Sequence, residues 1–308
     1  MTFLYKSDPA RGAVWARVFA EKAPQIAFCQ WPDMGDPRDV RYLAAWEPPD
    51  DLGAAFPNLE LLFSIGAGID QFDLSALPAA LPIIRMTEPG LVACMTDYAA
   101  LAALALHRDL PAYVAQQREG IWQALPVAPS GQTRVGVLGL GQLGRAVAGR
   151  LLTLGFAVSG WSRSRHEISG LRCFAGEGEL TEFLAETNIL LCLLPLTPQT
   201  RGILNASLFA RLPQGSAIIN AGRGGHLAQD DLLSALNCGH LRAALLDVTE
   251  PEPLPPDHPF WTHPKILLTP HIAGETQPET AAAAVLDNLD RHRRGLPLIG
   301  LVNRSQGY

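Results

Sequence analysis

Three glycines, spaced Gly139-x-Gly141-x-x-Gly144, stand between the apolar run Arg134-Val135-Gly136-Val137-Leu138 and a helical pattern through Val147, Leu151 and Leu154. That spacing suits a dinucleotide. The first glycine permits a tight turn from strand to helix, the second lets backbone approach a pyrophosphate, and the third lets helix and strand pack closely. Free N–H groups at the helix start, where Gln142 and Leu143 lie, then face the phosphates together with the positive end of the helix dipole. A glycine-rich turn would show the same three residues. The strand before and the helix after favour the nucleotide.

About 20 residues beyond the glycines, a dinucleotide fold places the residue that faces the adenosine ribose. Here the second strand ends Gly160-Trp161-Ser162-Arg163-Ser164-Arg165, with no acid. An acid would repel a 2′-phosphate, whereas a guanidinium pairs well with a phosphate dianion. NADPH is therefore the expected cofactor, with NADH possible. The competing reading is a solvated basic turn. His271 follows Pro270 at the end of an apolar strand, where the sites of α/β proteins gather. A histidine there can carry a proton near neutral pH and pass it on. The other histidines, His226 among them, lack this setting, and surface or satisfied-polar roles are expected for them.

The elements that must position these residues are read from apolar runs alternating with helical patterns. Runs at 2–5, 25–29, 42–46, 59–65 and 81–86 read as strands of a first α/β domain. Glu88-Pro89-Gly90 breaks the pattern. Thr96 or Asp97 then caps a long helix through Tyr98, Leu101, Leu104 and Leu106, apolar nearly all round and hence buried on more than one side. Pro126, Pro129, Ser130 and Gly131 mark a linker into the glycine-rich strand. Further strands are read at 156–161, 189–194, 216–220, 243–248 and 265–269, and a last helix at 279–293. The expected fold is α/β with two doubly wound parallel-sheet domains: a flavodoxin-like domain of residues 1–97 plus 284–308, and a Rossmann NAD(P)-binding domain of residues 98–283. A cleft between them is the expected site.

Bulk properties narrow the class. A chain of 308 residues is long enough for two cores, and 48% apolar with 18% charged residues suits a globular protein. The net charge of −6, with no basic cluster beyond the short run 291–294, argues against nucleic acid. The first residues lack the pattern of a signal peptide, and no apolar run approaches a membrane span, 98–106 being the nearest. Five scattered cysteines without C-x-x-C fit a reduced, cytoplasmic protein and argue against disulfides and structural zinc; no metal site is expected.

Five later segments, in order, resemble the D-2-hydroxyacid dehydrogenase family, and nearest its glyoxylate/hydroxypyruvate reductase A branch. They are Ser64-Ile65-Gly66-Ala67-Gly68-Ile69-Asp70, Leu194-Pro195-Leu196-Thr197-Pro198-Gln199-Thr200, Asn220-Ala221-Gly222-Arg223-Gly224, Leu246-Asp247-Val248-Thr249-Glu250-Pro251-Glu252-Pro253-Leu254 and Thr269-Pro270-His271-Ile272-Ala273-Gly274. The resemblance covers nearly the whole chain, and Trp161-Ser162-Arg163-Ser164 also looks like that branch, whose members favour NADPH. Two departures stand out: Gly222 and Gly225 flank Arg223 where many relatives carry larger residues, and Thr249 replaces a common aromatic.

The resemblance implies NADPH-dependent reduction of a small 2-oxo acid, glyoxylate or hydroxypyruvate. Arg223 would hold the substrate carboxylate and carbonyl oxygens. His271 would give the proton. Glu252 would be its partner, since a nearby carboxylate favours a protonated ring; Glu250 is a rival in the same loop. Asp247, Leu194, Pro195, Ala221, Gly222 and Gly274 would face the cofactor, beside Gly139, Gly141, Gln142, Leu143, Gly144, Ser162, Arg163 and Ser164. An unpaired carboxylate at the strand end of Asp247 would be costly. Ala67 and Gly68, with Gly66, would form an anion nest for the substrate, and Trp46 would line the pocket, with core packing as the alternative. A homodimer through the Ala/Leu-rich helix is also implied. Two other readings keep the fold: a reductase of a bulkier 2-oxo acid, and a nucleotide-sensing protein like the C-terminal-binding protein corepressors.

Overall fold

A computed structural model describes residues 1–307. In chain order the elements are β1 (Thr2–Lys6), α1 (Pro9–Lys22), β2 (Ala27–Gln30), β3 (Val40–Ala45), α2 (Leu52–Ala55), β4 (Leu61–Ser64), β5 (Ile83–Ile84), α3 (Pro89–His107), α4 (Leu110–Glu119), β6 (Arg134–Leu138), α5 (Gln142–Thr153), β7 (Ala157–Ser162), β8 (Arg172–Ala175), α6 (Gly176–Ala185), β9 (Ile189–Cys192), α7 (Ala206–Phe209), β10 (Ser216–Asn220), α8 (Gln229–Asn237), β11 (Leu241–Leu246), β12 (Ile266–Leu268) and α9 (Pro278–Arg293). Two compact units result: Met1–Ala93 with Gly274 onward, and Cys94–Ala273. Residues 94–97 thus fall in the second unit and residues 274–283 in the first, unlike the boundaries read from the sequence.

The first unit holds a five-stranded parallel sheet of order β2-β1-β3-β4-β5. Asp8 caps α1 by accepting from the Arg11 amide, and Pro9 presets the first turn. The helix buries Trp15 and Phe19 against Phe3 and Tyr5, with Ala281, Val285 and Leu289 of α9 in the same cluster. Beyond β5, the amide of Arg85 bonds the Gly300 carbonyl and that of Val302 bonds Ile83, so the tail covers this edge. Only Ile83 and Ile84 of the 81–86 run join the parallel ladder, pairing with Leu62 and Phe63 of β4.

The second unit is built on a seven-stranded parallel sheet of order β12-β11-β10-β9-β6-β7-β8. Strand order reverses between β6 and β9, the crevice where such sheets bind ligands. Its strands are nearly continuous apolar runs because both faces are covered; one face packs under Val147, Leu151 and Leu106, the other under Phe183, Leu232 and Leu236. Helix α3 starts at Pro89, earlier than the cap at Thr96 or Asp97. Buried Glu88 takes over the capping, accepting the amides of Gly90 (2.5 Å) and Leu91 (2.6 Å) and also that of Gln277 at the start of α9 (3.0 Å). At 19 residues and a mean hydropathy of 1.5, α3 is long and apolar enough to cross a membrane, contrary to the reading that no run reaches that length. Half of that stretch is buried inside the protein, where Ala99, Ala102, Ala103 and Leu106 join the second unit's core.

Candidate active site

The β6–α5 turn is built for a close approach. Gly139 has φ +104°, a backbone conformation that disfavours side chains, and an added Cβ would lie 2.8 Å from the Leu193 carbonyl oxygen. A Cβ on Gly144 would lie 1.8 Å from the carbonyl oxygen of Gly139, so helix and turn meet only because residue 144 has none. In front of Gly141, by contrast, a Cβ would meet nothing within 4 Å, and no side chain caps the helix start at Gln142 and Leu143. Open space before a 12-residue helix fits a pyrophosphate.

At the end of β7, Ser162 is buried and its hydroxyl donates to the Ser164 carbonyl at 2.8 Å, which tightens the turn. Arg163 and Ser164 are exposed beside it. Arg165 is tied to Glu179.

The loops after β9 and β10 are joined by one imidazole. Leu194 is buried and Pro195 half-buried. The Pro195 carbonyl lies 3.2 Å from Nε2 of His226, whose Nδ1 accepts the Arg223 amide at 3.0 Å. Asn220 adds a bond from its side-chain amide to the Arg223 carbonyl (3.0 Å) and accepts the Gly222 amide (3.2 Å). Ala221 and Gly222 are buried, and the Arg223 guanidinium, half-buried, donates to the Gly222 carbonyl at 2.9 Å.

The loops after β11 and β12 bring Asp247, Glu252 and His271 together. His271 sits at φ +55°. Its Nδ1 lies 2.8 Å from Oε2 of Glu252, and Oε1 of Glu252 accepts the Thr249 amide at 2.9 Å. Glu250 is elsewhere: both its oxygens are held by Arg201, at 3.0 and 2.8 Å. Asp247 is 2% exposed, and its carboxylate accepts from the Thr269 hydroxyl (2.7 Å) and the amides of Ile272 and Ala273 (2.9 Å each). Its carbonyl accepts the His271 amide at 2.8 Å. The strand-end acid is thus fully paired, and it fixes the backbone on which His271 rides. Since Thr269 gives its proton to Asp247, the Tyr98 hydroxyl 2.5 Å away donates to Thr269. Burial raises the Tyr98 phenol above its ordinary value, and burial pushes the Cys192 thiol at the end of β9 up to about 12.

In the first unit, Trp46 follows β3 and is 41% exposed, so it is not a core residue. It lies over Gly66, where a Cβ would sit 3.2 Å from the ring. The Ser64 hydroxyl is within hydrogen-bonding distance of the Gly66 (3.1 Å) and Gly68 (2.9 Å) carbonyls. In trans peptides those inward carbonyls turn the Ala67 and Ile69 amides the other way. Gly274, expected at the cofactor, opens the second segment of this unit.

Residues 100–273 match the family model described as the D-isomer specific 2-hydroxyacid dehydrogenase NAD binding domain. The chain belongs to that dehydrogenase family. A glyoxylate/hydroxypyruvate reductase A of Yersinia enterocolitica is 39% identical over 300 residues, 96% of each chain. A D-isomer specific 2-hydroxyacid dehydrogenase of Xanthobacter autotrophicus Py2, solved with NADPH and MES, is 37% identical with a TM-score of 0.94, covering 100% of this chain and 99% of the other. An NADPH-dependent glyoxylate/hydroxypyruvate reductase of Sinorhizobium meliloti, solved with NADP and sulfate, is 34% identical with a TM-score of 0.91 and the same coverage. The two parallel-sheet α/β units of this dehydrogenase are the fold of those relatives.

Several residues that tie these loops together carry no sequence signal of their own. His226 reads as an ordinary polar residue, Tyr98 and Thr269 are 171 positions apart, and Arg201 has no motif linking it to Glu250. Only their neighbours gave a hint: His226 is three residues from Arg223, and Thr269 two from His271.

Proposed function

We propose that this dehydrogenase reduces a small 2-oxo acid, glyoxylate or hydroxypyruvate, to the 2-hydroxy acid with NADPH. Support comes from full-length relatives named for that reaction and from the exposed Arg163 at the ribose end of β7. The observation that carries the chemistry is the His271–Glu252 hydrogen bond at 2.8 Å. An ionised carboxylate has no proton to give, so Nδ1–H of His271 is the donor and Nε2 is left as the nitrogen that holds and releases a proton.

Bound NADPH would supply the hydride to the carbonyl carbon, in the space before Gly139, Gly141 and Gly144 and between the loops of Leu194, Pro195, Ala221 and Gly222. Arg223 binds the substrate carboxylate and carbonyl oxygens and offsets the negative charge that grows on the latter. Nε2 of His271 delivers its proton to that oxygen, which completes the hydroxyl; Glu252 steadies the ring through the transfer. Asp247 holds the His271 loop. Replacing His271 with alanine tests the assignment. It should lower kcat by about 100- to 10,000-fold and leave the NADPH Kd unchanged; a kcat near that of the native protein would exclude His271 as the acid. A homodimer fits the exposed Leu101 and Leu104 of α3, 61% and 38% exposed. Light scattering of the native chain and of Leu101→Glu checks it: a monomeric native chain would contradict it.

A further inference from the structure

His226 is fully buried, 0% exposed, yet it belongs to none of the residues that contact the reacting groups in the reading above. Its ring spans two loops. A backbone N–H can only donate, so the Arg223 amide makes Nδ1 an acceptor. The neutral ring must then carry its hydrogen on Nε2, which points at the Pro195 carbonyl 3.2 Å away. One side chain therefore ties the backbone of the substrate-binding arginine to the loop that faces the cofactor. Its own carbonyl accepts the Leu204 amide at 2.8 Å, so the ring stands on a fixed base. Gly222 is part of the device. A Cβ there would lie 3.0 Å from Nδ1 and Cε1 of the ring and 3.2 Å from the Leu194 carbonyl oxygen. The small residue between Ala221 and Arg223 leaves room for the imidazole to reach both loops.

We propose that His226 is a positioning residue: through its two ring nitrogens it sets Arg223 for the 2-oxo acid and the 194–200 loop for the dinucleotide, each by a separate hydrogen bond. The inference rests on the functional reading above, and its test separates the two. Asparagine at this position keeps an acceptor near the place of Nδ1, and glutamine keeps a donor near that of Nε2, while leucine keeps neither.

The expected pattern is a split. His226→Leu should lower kcat/KM for glyoxylate by about 100-fold, the loss that a displacement on the order of 1 Å brings, and should weaken NADPH binding about tenfold, the equivalent of one hydrogen bond. His226→Asn should recover most of the glyoxylate KM but not the NADPH Kd; His226→Gln should recover the NADPH Kd but not the glyoxylate KM. The Kd is read by titrating the fluorescence of bound NADPH, which needs no turnover. The ring is read by ¹⁵N NMR of the native protein, where a hydrogen on Nε2 is expected. A hydrogen on Nδ1, or asparagine and glutamine variants that change both constants alike, would overturn the proposal. If the native protein binds NADPH but reduces no 2-oxo acid, the functional reading fails. The ring tautomer and the NADPH Kd of the glutamine and leucine variants then still decide the role of His226.

Discussion

Glu252→Gln isolates the charge behind His271. Glu252 holds two donors, His271 Nδ1–H at 2.8 Å and the Thr249 amide at 2.9 Å. Glutamine offers one oxygen and one NH₂, so with its oxygen on the Thr249 amide its NH₂ meets Nδ1–H of a protonated ring donor to donor, and the charged form of His271 loses its acceptor. A hydrogen bond to a charged group contributes about 1.5–3 kcal/mol. The two side chains are 38% and 40% exposed, and solvent screening draws the loss toward the lower end. A loss of about 1.5–2 kcal/mol in holding the charged ring corresponds to roughly a 10- to 30-fold fall in kcat. The assay is steady-state reduction of glyoxylate at saturating NADPH, with the NADPH Kd measured in parallel. The fall should appear in kcat, and the Kd should not move. Glu250→Gln is the control, because Arg201 holds that carboxylate away from the imidazole; its kcat should stay within about twofold of the native value, as for other exposed ion pairs. Native kcat in the 252 variant, or equal losses at 250 and 252, would refute the reasoning.

Arg163→Ala should raise the KM for NADPH by about tenfold or more while moving that for NADH little, the loss of one charge-assisted contact to a 2′-phosphate. Equal changes for the two nicotinamides would remove the phosphate assignment. Gly144→Ala forces a Cβ to within 1.8 Å of the Gly139 carbonyl oxygen and should destabilise the chain by about 1–3 kcal/mol in urea unfolding. Gly149→Ala, on the same helix with open space around it, should stabilise it by about 0.5–1 kcal/mol, and the same sign at both positions would contradict the packing described. Burial raises both Cys192 and Tyr98 in the folded chain. Groups raised on folding stabilise fully below their unfolded values, so this contribution is complete below about pH 9 and is lost as pH rises toward 12. The urea midpoint should fall between about pH 9 and 11, and less steeply in Cys192→Ala; identical slopes would contradict this.

What could be read from the sequence was whatever local chemistry dictates. The Gly139–Gly144 turn, the apolar strands around it and the α/β alternation follow from steric and burial rules acting over a dozen residues. β8 escaped because Arg172-Cys173-Phe174-Ala175 lies at a sheet edge, where exposed Arg172 is tolerated and the apolar pattern is short. The start of α3 was misplaced because glutamate is not a common cap; Glu88 works here since two helix starts converge on one buried carboxylate. The resemblance already set Glu252 ahead of Glu250 as the partner of His271, and the fold adds the distances that separate two acids of one proline-rich loop: Glu252 lies against His271 and Glu250 against Arg201. The Tyr98–Thr269–Asp247 chain and the His226 bridge join loops that are remote in sequence or carry no motif, so no spacing could reveal them.

The most direct test of the account is the loss of reduced-nicotinamide absorbance when the purified protein meets glyoxylate, run side by side with NADPH and NADH. Rapid loss with NADPH and slow loss with NADH is the predicted result. No loss with either cofactor, repeated with hydroxypyruvate and with a bulky aromatic 2-oxo acid, would contradict it.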